Sequence, residues 1–299
     1  LPPTLVAQTG FPISIGNSYS LYSDVLNEDR PYFVSLPASY HDQTIVPKEY
    51  PVIYILDGDI YFQSMSGMAQ FMGSGINGNY QIPEFIVVGV PNTNRIRDLT
   101  PTELTDLPPG PLPDGLSETG GGDEFLRFLN EELFSKIESE YRTMPYRVLA
   151  GHSIGGLLGL YALIAHDSMF NAYIIMDPSL WWERKMLLDM AQFSEILEET
   201  SESHNIRFRW DYMESEDHGS IPLISFYNGL NFIFSGYKPV HTEIVNDPDE
   251  VVRTYEELSE SLGATFLPPE SVLIQSALLA LNQFGDQEKA IEILELTIG

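Results

Sequence analysis

The fold is decided by the five residues Gly151-His152-Ser153-Ile154-Gly155, which follow the short apolar run 146–150 and precede an apolar stretch of helical pattern. A G-x-S-x-G pattern between a strand and a helix is typical of a tight turn whose small neighbours let the serine hydroxyl project beyond the sheet. The same pattern occurs by chance in glycine-rich loops. The strand pattern before it, the helical pattern after it and a third glycine, Gly156, favour the turn here. We therefore predict that Ser153 is a nucleophile.

Apolar runs on both sides of this turn predict the strands of one sheet. Two amino-terminal runs alternate apolar and polar residues, as half-exposed antiparallel strands do, at 18–23 and 30–37. Three later runs are continuously apolar, as strands buried in a parallel sheet are, at 51–56, 85–90 and 172–176. Helical spacing over 123–137 fills the interval before the turn. This alternation predicts an α/β fold with a mainly parallel sheet.

The chain is strongly acidic, since its 299 residues include 43 Asp and Glu against 15 Lys and Arg, a formal net charge of -28 at pH 7. Such a field repels phosphate backbones and anionic membrane surfaces, so neither nucleic acid nor a membrane is expected as a partner. The longest apolar runs, such as 85–90, are also too short to span a bilayer. The absence of cysteine excludes disulfides, thiolate catalysis and cysteine metal sites.

The amino terminus and one long segment give further indications. The chain starts at Leu1 rather than Met, which favours a bacterial protein with a processed amino terminus, and a secreted or periplasmic location over a cytoplasmic one. Residues 91–122 are rich in proline, glycine, threonine and aspartate and predict an irregular excursion. Such excursions often form an active-site wall, and the same composition is typical of disorder.

The pattern changes after about residue 240 to acidic helices without strand runs. We therefore predict an α/β domain over residues 1–240 and a helical appendage over 241–299. Its last two helices resemble a tetratricopeptide unit, with Ala277, Leu281 and Ala290 at positions where small or apolar residues pack between helices. One such unit cannot bury its own face, so it either docks on the first domain or begins an array. A simple helical tail fits the same pattern.

A serine nucleophile needs a neutral imidazole to accept its proton, and in this kind of fold the histidine follows the serine along the chain. Three of the six histidines come too early or lie in the turn and its helix; the others are His204, His218 and His241. The run 210–213 predicts a final strand, and His218 follows on its exit loop, from which it can reach the carboxyl edge of the sheet. We predict that His218 is the base.

Five segments within residues 5–238 occur in one order: Leu56–Asp59, Pro91–Pro101, Gly151–Gly156, Asp177–Trp182 and Asp217–Pro222. Together they resemble the esterase family of α/β-hydrolases that includes the enterobactin, salmochelin and bacillibactin siderophore esterases. The resemblance implies an α/β-hydrolase fold and a serine carboxylic-ester hydrolase that acts on a small-molecule ester with no metal or organic cofactor. It also implies that Ser153 attacks the ester and that His218 carries the proton.

Acyl transfer further requires two main-chain N–H groups aimed at the developing negative charge, one after the nucleophile and one from an earlier loop. Ile154 is the first candidate. Gly58 or Asp59 is the second, because both directly follow the buried run 51–56 and the segment recurs in the resembling family. An ordinary turn or a calcium-like acidic loop is the alternative interpretation of this segment.

The carboxylate that would orient His218 has more than one candidate. Members of the family commonly take it from a strand beyond the Trp-Trp segment, but here 183–205 has the pattern of an acidic helix. Asp177 directly follows the run 172–176 and is predicted to lie one strand beyond the nucleophile. The alternatives are that Asp177 only caps a helix, that Glu216 is the acid, or that a Ser-His dyad works without one.

Three further side chains are predicted to line the substrate pocket. Trp181 and Trp182 would contact an acyl or aryl group, although one of the pair is expected in the core. Arg95 would attract an anionic group of the substrate in a chain with few cations. Pairing with a local carboxylate such as Asp98 is the structural alternative for this region.

The sequence therefore favours a serine esterase that works through an acyl-enzyme intermediate, with siderophore esters as the substrates that the resemblance implies. A second hypothesis follows from the missing acid strand. It is a non-catalytic protein that keeps the fold and contacts partners, or a second copy, through its carboxyl-terminal helices.

Overall fold

The computed structural model describes residues 11–75, 78–104, 118–166, 168–182 and 207–297, and within them six strands form one sheet in the order β1-β2-β4-β3-β5-β6. The strands are β1 (Asn17–Ser23), β2 (Glu28–Ser35), β3 (Tyr50–Leu56), β4 (Ile86–Val90), β5 (Thr143–His152) and β6 (Ala172–Met176). Strands β3 to β6 are mutually parallel, whereas β1 and β2 are antiparallel to their neighbours. The predicted α/β fold with a mainly parallel sheet is confirmed.

Helices connect the strands and cover both faces of the sheet. They are α1 (Gly58–Gly73), α2 (Arg95–Leu99), α3 (Gly122–Phe128), α4 (Phe134–Glu140), α5 (Ile154–Ala165), α6 (Ile221–Ile233), α7 (His241–Asn246), α8 (Pro248–Leu262), α9 (Glu270–Leu279) and α10 (Gln287–Glu295). A π-helical turn, Leu129–Leu133, joins α3 to α4, and another, Ala280–Phe284, follows α9. A short 3₁₀ helix occupies Ala38–His41.

The burial of the strands follows the sequence pattern. Every residue of β3 and β4 is buried, as expected of central strands with helices on both faces. In β2 the alternate residues Arg30, Tyr32 and Val34 are buried, because this strand lies near the antiparallel edge. One face of the sheet packs against α1 and α6, and the opposite face packs against α3, α4 and α5.

The carboxyl-terminal helices share the apolar core of the sheet. Val272, Ala277 and Ile293 belong to the same buried cluster as Tyr146 of β5 and Phe234, which follows α6. The helical segment therefore docks on the α/β part, and the domain boundary at residue 240 stays a prediction.

The resemblance of the last two helices to a tetratricopeptide unit is not confirmed. Ala277 and Ala290 are buried between helices, but Leu281 is 45% exposed. Its prediction as a packing residue is wrong, because the π-helical turn after α9 changes the direction of the side chains that follow.

The predicted strand at 210–213 is also wrong. Residues 207–213 form no strand, and on that side the described sheet ends at β6. The aromatic rings of Trp210 and Tyr212 produced the strand pattern, but they stack on each other with centroids 6.4 Å apart and remain exposed. A segment with alternating aromatic residues forms a β-strand only when its backbone can hydrogen-bond to a neighbouring strand.

Two further predictions lie outside the described residues. They are the acidic helix at 183–205 and the central part, 105–117, of the irregular excursion. In the described part of the chain, no helix combines the length and the apolar character needed to cross a bilayer.

Candidate active site

Three neighbouring strands of the sheet end in a residue with positive φ. Strand β3 is followed by Asp57 (φ 53°), β5 by Ser153 (φ 58°) and β6 by Asp177 (φ 40°). A non-glycine residue in this region costs on the order of 1–3 kcal/mol, and such strain collects where side chains must be aimed at a site. Because the three strands are parallel, these residues share one edge of the sheet, which marks it as the candidate site.

The turn at Ser153 requires its glycines for steric reasons. A Cβ atom on Gly151 would lie 2.3 Å from the carbonyl oxygen of Gly155, and one on Gly156 would lie 3.1 Å from Cα of Pro178. The N–H of Ser153 donates to the carbonyl of Met176 at 3.0 Å, which ties the turn to the end of β6. The serine hydroxyl therefore projects from the carboxyl edge of the sheet at the start of α5.

One imidazole joins the serine to a carboxylate. Nε2 of His218 lies 3.1 Å from Oγ of Ser153, and its Nδ1 lies 2.5 Å from Oδ2 of Asp177. Both ring nitrogens are thus engaged by these two residues and not by Glu216. In this arrangement the imidazole can accept the proton of the hydroxyl while the carboxylate fixes its tautomer and stabilises its charged form.

A hydrogen-bonded turn carries His218 into the site. The carboxylate of Asp217 accepts the main-chain N–H groups of Ser220 at 2.9 Å and Gly219 at 2.8 Å. These hydrogen bonds, Ser220 first, lower the pKa of the Asp217 carboxyl. Helix α6 begins directly afterwards at Ile221, so the turn is fixed to the helix that packs on β6.

Ser179 is a site residue that the sequence interpretation missed. Its Oγ lies 3.1 Å from Oγ of Ser153, and its N–H donates to the carbonyl of Ser153 at 3.0 Å. The side chain is buried, so its hydroxyl can hold the orientation of Ser153 while the serine donates to His218. The only signal in the sequence was its place two residues after Asp177.

His152 and Tyr61 were missed as well. The imidazole of His152 lies against that of His218 with ring centroids 4.4 Å apart, and its Nδ1 is 2.8 Å from the hydroxyl of Tyr61. Burial lowers the pKa of His152, and the neighbouring His218 lowers it further. A ring that favours its neutral form therefore lies beside the imidazole of His218.

The three predicted oxyanion donors lie at two adjacent helix starts. Helix α1 begins at Gly58 after β3, and α5 begins at Ile154 after the neighbouring β5. The first N–H groups of a helix have no acceptor within the helix, so they are available to a negative charge. The carboxylate of Asp59 accepts from the side chain of Asn92 at 3.0 Å and is exposed. The choice between Gly58 and Asp59 stays a prediction.

Arg95 lies beside the site, but its charge is balanced by a carboxylate. Its Nε and Nη2 donate to the two oxygens of Asp57 at 2.6 and 2.8 Å, and Asn92 donates to the same carboxylate at 2.7 Å. The expected partner Asp98 instead accepts from Arg97 at 2.7 Å. The side chain of Arg95 is 30% exposed, and its pair with Asp57 fixes the loop after β4 to the end of β3.

The two tryptophans have different environments. Trp182 is fully buried and is the member of the pair that lies in the core, as expected for one of the two. Trp181 is 60% exposed and follows Asp177 by four residues, so it remains a candidate for contact with substrate. Adjacent residues in an irregular segment point in opposite directions, which the sequence alone did not resolve for this pair.

Comparison with known proteins identifies the family to which the chain belongs. The model of the family described as "Putative esterase" matches residues 23–219. The chain is 34% identical over 173 residues to the ferri-bacillibactin esterase BesA of Bacillus subtilis, covering 54% of this chain and 58% of that protein. It is 30% identical over 195 residues to a siderophore triacetylfusarinine C esterase of Aspergillus fumigatus, covering 60% and 62%. The chain thus spans less than two thirds of either relative.

Solved structures share the fold over most of the chain. An IroE-like serine hydrolase from Shewanella oneidensis superposes with a TM-score of 0.80 at 28% identity, covering 95% of this chain and 99% of that one. The BES protein from Bacillus cereus superposes with a TM-score of 0.62 at 25% identity, covering 76% and 98%. The α/β fold is therefore that of the α/β-hydrolases.

Proposed function

Because the chain belongs to this esterase family, we propose that it is a serine carboxylic-ester hydrolase that works through an acyl-enzyme intermediate on siderophore-type esters. The observation that carries the proposal is the continuous series of contacts from Ser153 through His218 to Asp177, at 3.1 and 2.5 Å. Two relatives that are named for siderophore esters supply the substrate class.

The first half of the reaction forms the acyl-enzyme. Oγ of Ser153 attacks the ester carbonyl carbon while Nε2 of His218 takes its proton, and Asp177 stabilises the resulting imidazolium. The negative charge on the carbonyl oxygen is stabilised by main-chain N–H groups at the starts of α5 and α1, from Ile154 and from Gly58 or Asp59. The intermediate collapses, the alcohol leaves with the proton from His218, and the acyl group stays on Ser153.

The second half releases the acid. Water attacks the acyl carbon while His218 takes one of its protons, and the same N–H groups stabilise the second tetrahedral intermediate. When that intermediate collapses, His218 returns the proton to Oγ of Ser153 and the carboxylic acid is released. The chain's own residues thus carry out every proton transfer of the cycle.

The surface around the carboxyl edge of the sheet supports the proposed kind of substrate. Trp181 offers an exposed ring for an acyl or aryl group close to Asp177. The net charge of -28 disfavours polyanionic substrates, so the natural ester is expected to carry little negative charge.

The missing acid strand was the reason for considering a non-catalytic protein. Asp177 at the end of β6 removes that reason, because a carboxylate there already contacts His218. An idle scaffold would also have no need of a strained, positive-φ serine aligned with an imidazole.

The appendage supports a second, separate proposal. Several large apolar side chains of α9, α10 and the turn between them are 40% exposed or more: Ile274, Leu278, Leu281, Phe284, Ile291 and Leu294. We propose that this surface contacts a second copy of the chain. Analytical ultracentrifugation tests this proposal. The wild-type protein should sediment as a dimer and Leu278→Glu as a monomer. A wild-type monomer would contradict the proposal.

Ester hydrolysis is the first experiment. Wild-type protein should hydrolyse p-nitrophenyl acetate and a trilactone siderophore, and Ser153→Ala should reduce kcat/KM by at least about a thousandfold. Ser139→Ala is the matched control, because it removes an exposed hydroxyl of α4 and should retain the wild-type activity. Equal rates in wild type and Ser153→Ala, or loss only in Ser139→Ala, would contradict the proposal.

A further inference from the structure

The buried imidazole of His152 has a nitrogen without a function in the proposed reaction. The side chain is only 6% exposed, and its Nδ1 is engaged by the hydroxyl of Tyr61. Its Nε2 is enclosed and has no hydrogen-bond partner among the described residues. A buried polar atom of this kind is unfavourable unless a ligand or another group occupies it. In the tautomer that carries the ring proton on Nδ1, this nitrogen has a lone pair available to a ligand.

Two neighbours of His152, Asp177 and His218, provide further atoms that can bind a metal ion. One nitrogen of His152, one nitrogen of His218 and one carboxylate oxygen of Asp177 all lie within 4.8 Å of one another. Two imidazoles and a carboxylate form a ligand set that Zn²⁺ binds well, at about 2.0–2.2 Å from each atom. Asp177 and His218 are 43% and 59% exposed, so an ion can reach these two side chains from solvent.

We propose that Zn²⁺ binds reversibly to His152, Asp177 and His218 and inhibits the enzyme. The ion is an inhibitor at this site and not a cofactor. Zinc binding requires only these three side chains, whereas the inhibition also rests on the proposed esterase function.

Tyr61 prepares His152 for this role. A metal-binding histidine almost always donates its second ring N–H to an oxygen, which fixes the tautomer and directs the free lone pair at the ion. The hydroxyl oxygen of Tyr61, 2.8 Å from Nδ1, is placed to be such an acceptor when the ring proton is on Nδ1. The ring of Tyr61 also meets that of His152 edge-on at 5.8 Å, so the imidazole is held in one orientation.

Zinc at this site stops proton transfer whichever nitrogen of His218 it binds. A neutral imidazole has one lone pair. If Zn²⁺ takes Nε2, that nitrogen cannot accept the proton of Ser153. If Zn²⁺ takes Nδ1, the ring proton is on Nε2, and Asp177 is withdrawn to the ion. In both cases Ser153 keeps its proton, no covalent bond forms or breaks, and a chelator restores activity.

Binding is measured first in a protein that lacks the nucleophile. Isothermal titration of Ser153→Ala with Zn²⁺, in excess Mg²⁺ to occupy surface carboxylates, should show one site. His152→Gln or Asp177→Asn in that background should weaken the binding at least about tenfold. His166→Gln is the matched control, because His166 contacts Asp123 at the far end of α5 and should leave affinity unchanged. Thermal melts establish that each variant is folded.

The role of Tyr61 and the inhibition are tested next. Tyr61→Phe should weaken zinc binding by about tenfold or more, while Tyr161→Phe, which removes a hydroxyl bound to Asp123, should not. In protein with Ser153 intact, the zinc concentration for half inhibition of ester hydrolysis should match the dissociation constant measured by titration.

Three results separate the claims. Failure of Ser153→Ala to bind Zn²⁺, or equal binding after His152→Gln, overturns the zinc site. Stoichiometric zinc on an enzyme that hydrolyses esters at an undiminished rate overturns the inhibition. A protein that binds zinc through His152 but hydrolyses no ester in metal-free buffer supports the site and overturns the proposed function.

Discussion

Oδ2 of Asp177 lies 2.5 Å from Nδ1 of His218, and this contact joins the exit of β6 to the turn before α6. The expected strand at 210–213 is not present to support that turn. The position of His218 therefore depends on the contact with Asp177, on the turn formed by Asp217 and on the imidazole of His152. The orientation of this imidazole is consequently sensitive to single substitutions.

Asp177→Asn should lower kcat/KM for ester hydrolysis by about two to four decades. An asparagine has the same shape, but its amide can stabilise the wrong tautomer of His218 and cannot stabilise the imidazolium. Steady-state kinetics with p-nitrophenyl acetate measure the effect. Glu216→Gln is the control for the alternative acid and should remain near the wild-type rate; a large loss there with an active Asp177→Asn would reverse the assignment.

Arg95→Met should destabilise the fold by about 3 kcal/mol, because it leaves the carboxylate of Asp57 buried without its cation. Arg253→Met, which breaks an exposed pair with Asp247, should cost far less stability. Urea unfolding followed by tryptophan fluorescence compares the two. Equal stabilities for the two variants would show that Arg95 is not the structural partner of Asp57.

The two tryptophans should separate stability from substrate binding. Trp182→Ala should lower the free energy of unfolding by about 3–5 kcal/mol, because it empties a fully buried volume. Trp181→Ala should change stability by less than about 1 kcal/mol and raise KM for an aromatic ester. Unfolding curves and Michaelis–Menten kinetics provide both quantities. An unchanged KM in Trp181→Ala would remove this ring from the pocket.

Glu28 should stabilise the protein in a defined pH range. Hydrogen bonds from Arg97 first, and then from Arg30 and Thr93, lower the pKa of its carboxyl from 4.5 to about 2. Since the folded-state value is depressed, the contribution is fully present above about pH 4.5 and is lost as the pH falls through about 2. The difference in unfolding free energy between wild type and Glu28→Gln, measured across this range, should shrink on acidification. A difference in unfolding free energy that does not change with pH would contradict this role of Glu28.

Local pattern was sufficient for most of the sheet and for the serine turn. The runs that predict β3, β4 and β6 differ from the observed strands by one residue at most, because buried strands and their flanking turns are encoded in neighbouring residues. The elbow was predictable for the same reason, since the steric requirement at Gly151 and Gly156 is local.

Other features depend on tertiary contacts, which the sequence pattern does not report. Asp177 and Glu216 were both candidates for the acid, and only the distance across the sheet edge separates them. Arg95 pairs with Asp57, which is 38 residues away, and not with Asp98. The aromatic alternation at 210–213 indicated a strand, but strand formation also needs a partner, which periodicity does not report.

Covalent labelling of Ser153 tests the central claim most directly. An activated serine reacts with a fluorophosphonate probe, whereas an idle hydroxyl does not. The account predicts one adduct per chain, located on Ser153 by peptide mass spectrometry, absent in Ser153→Ala and much slower to form in His218→Gln. A folded wild-type protein that forms no adduct, or one labelled on Ser179 instead, would contradict it.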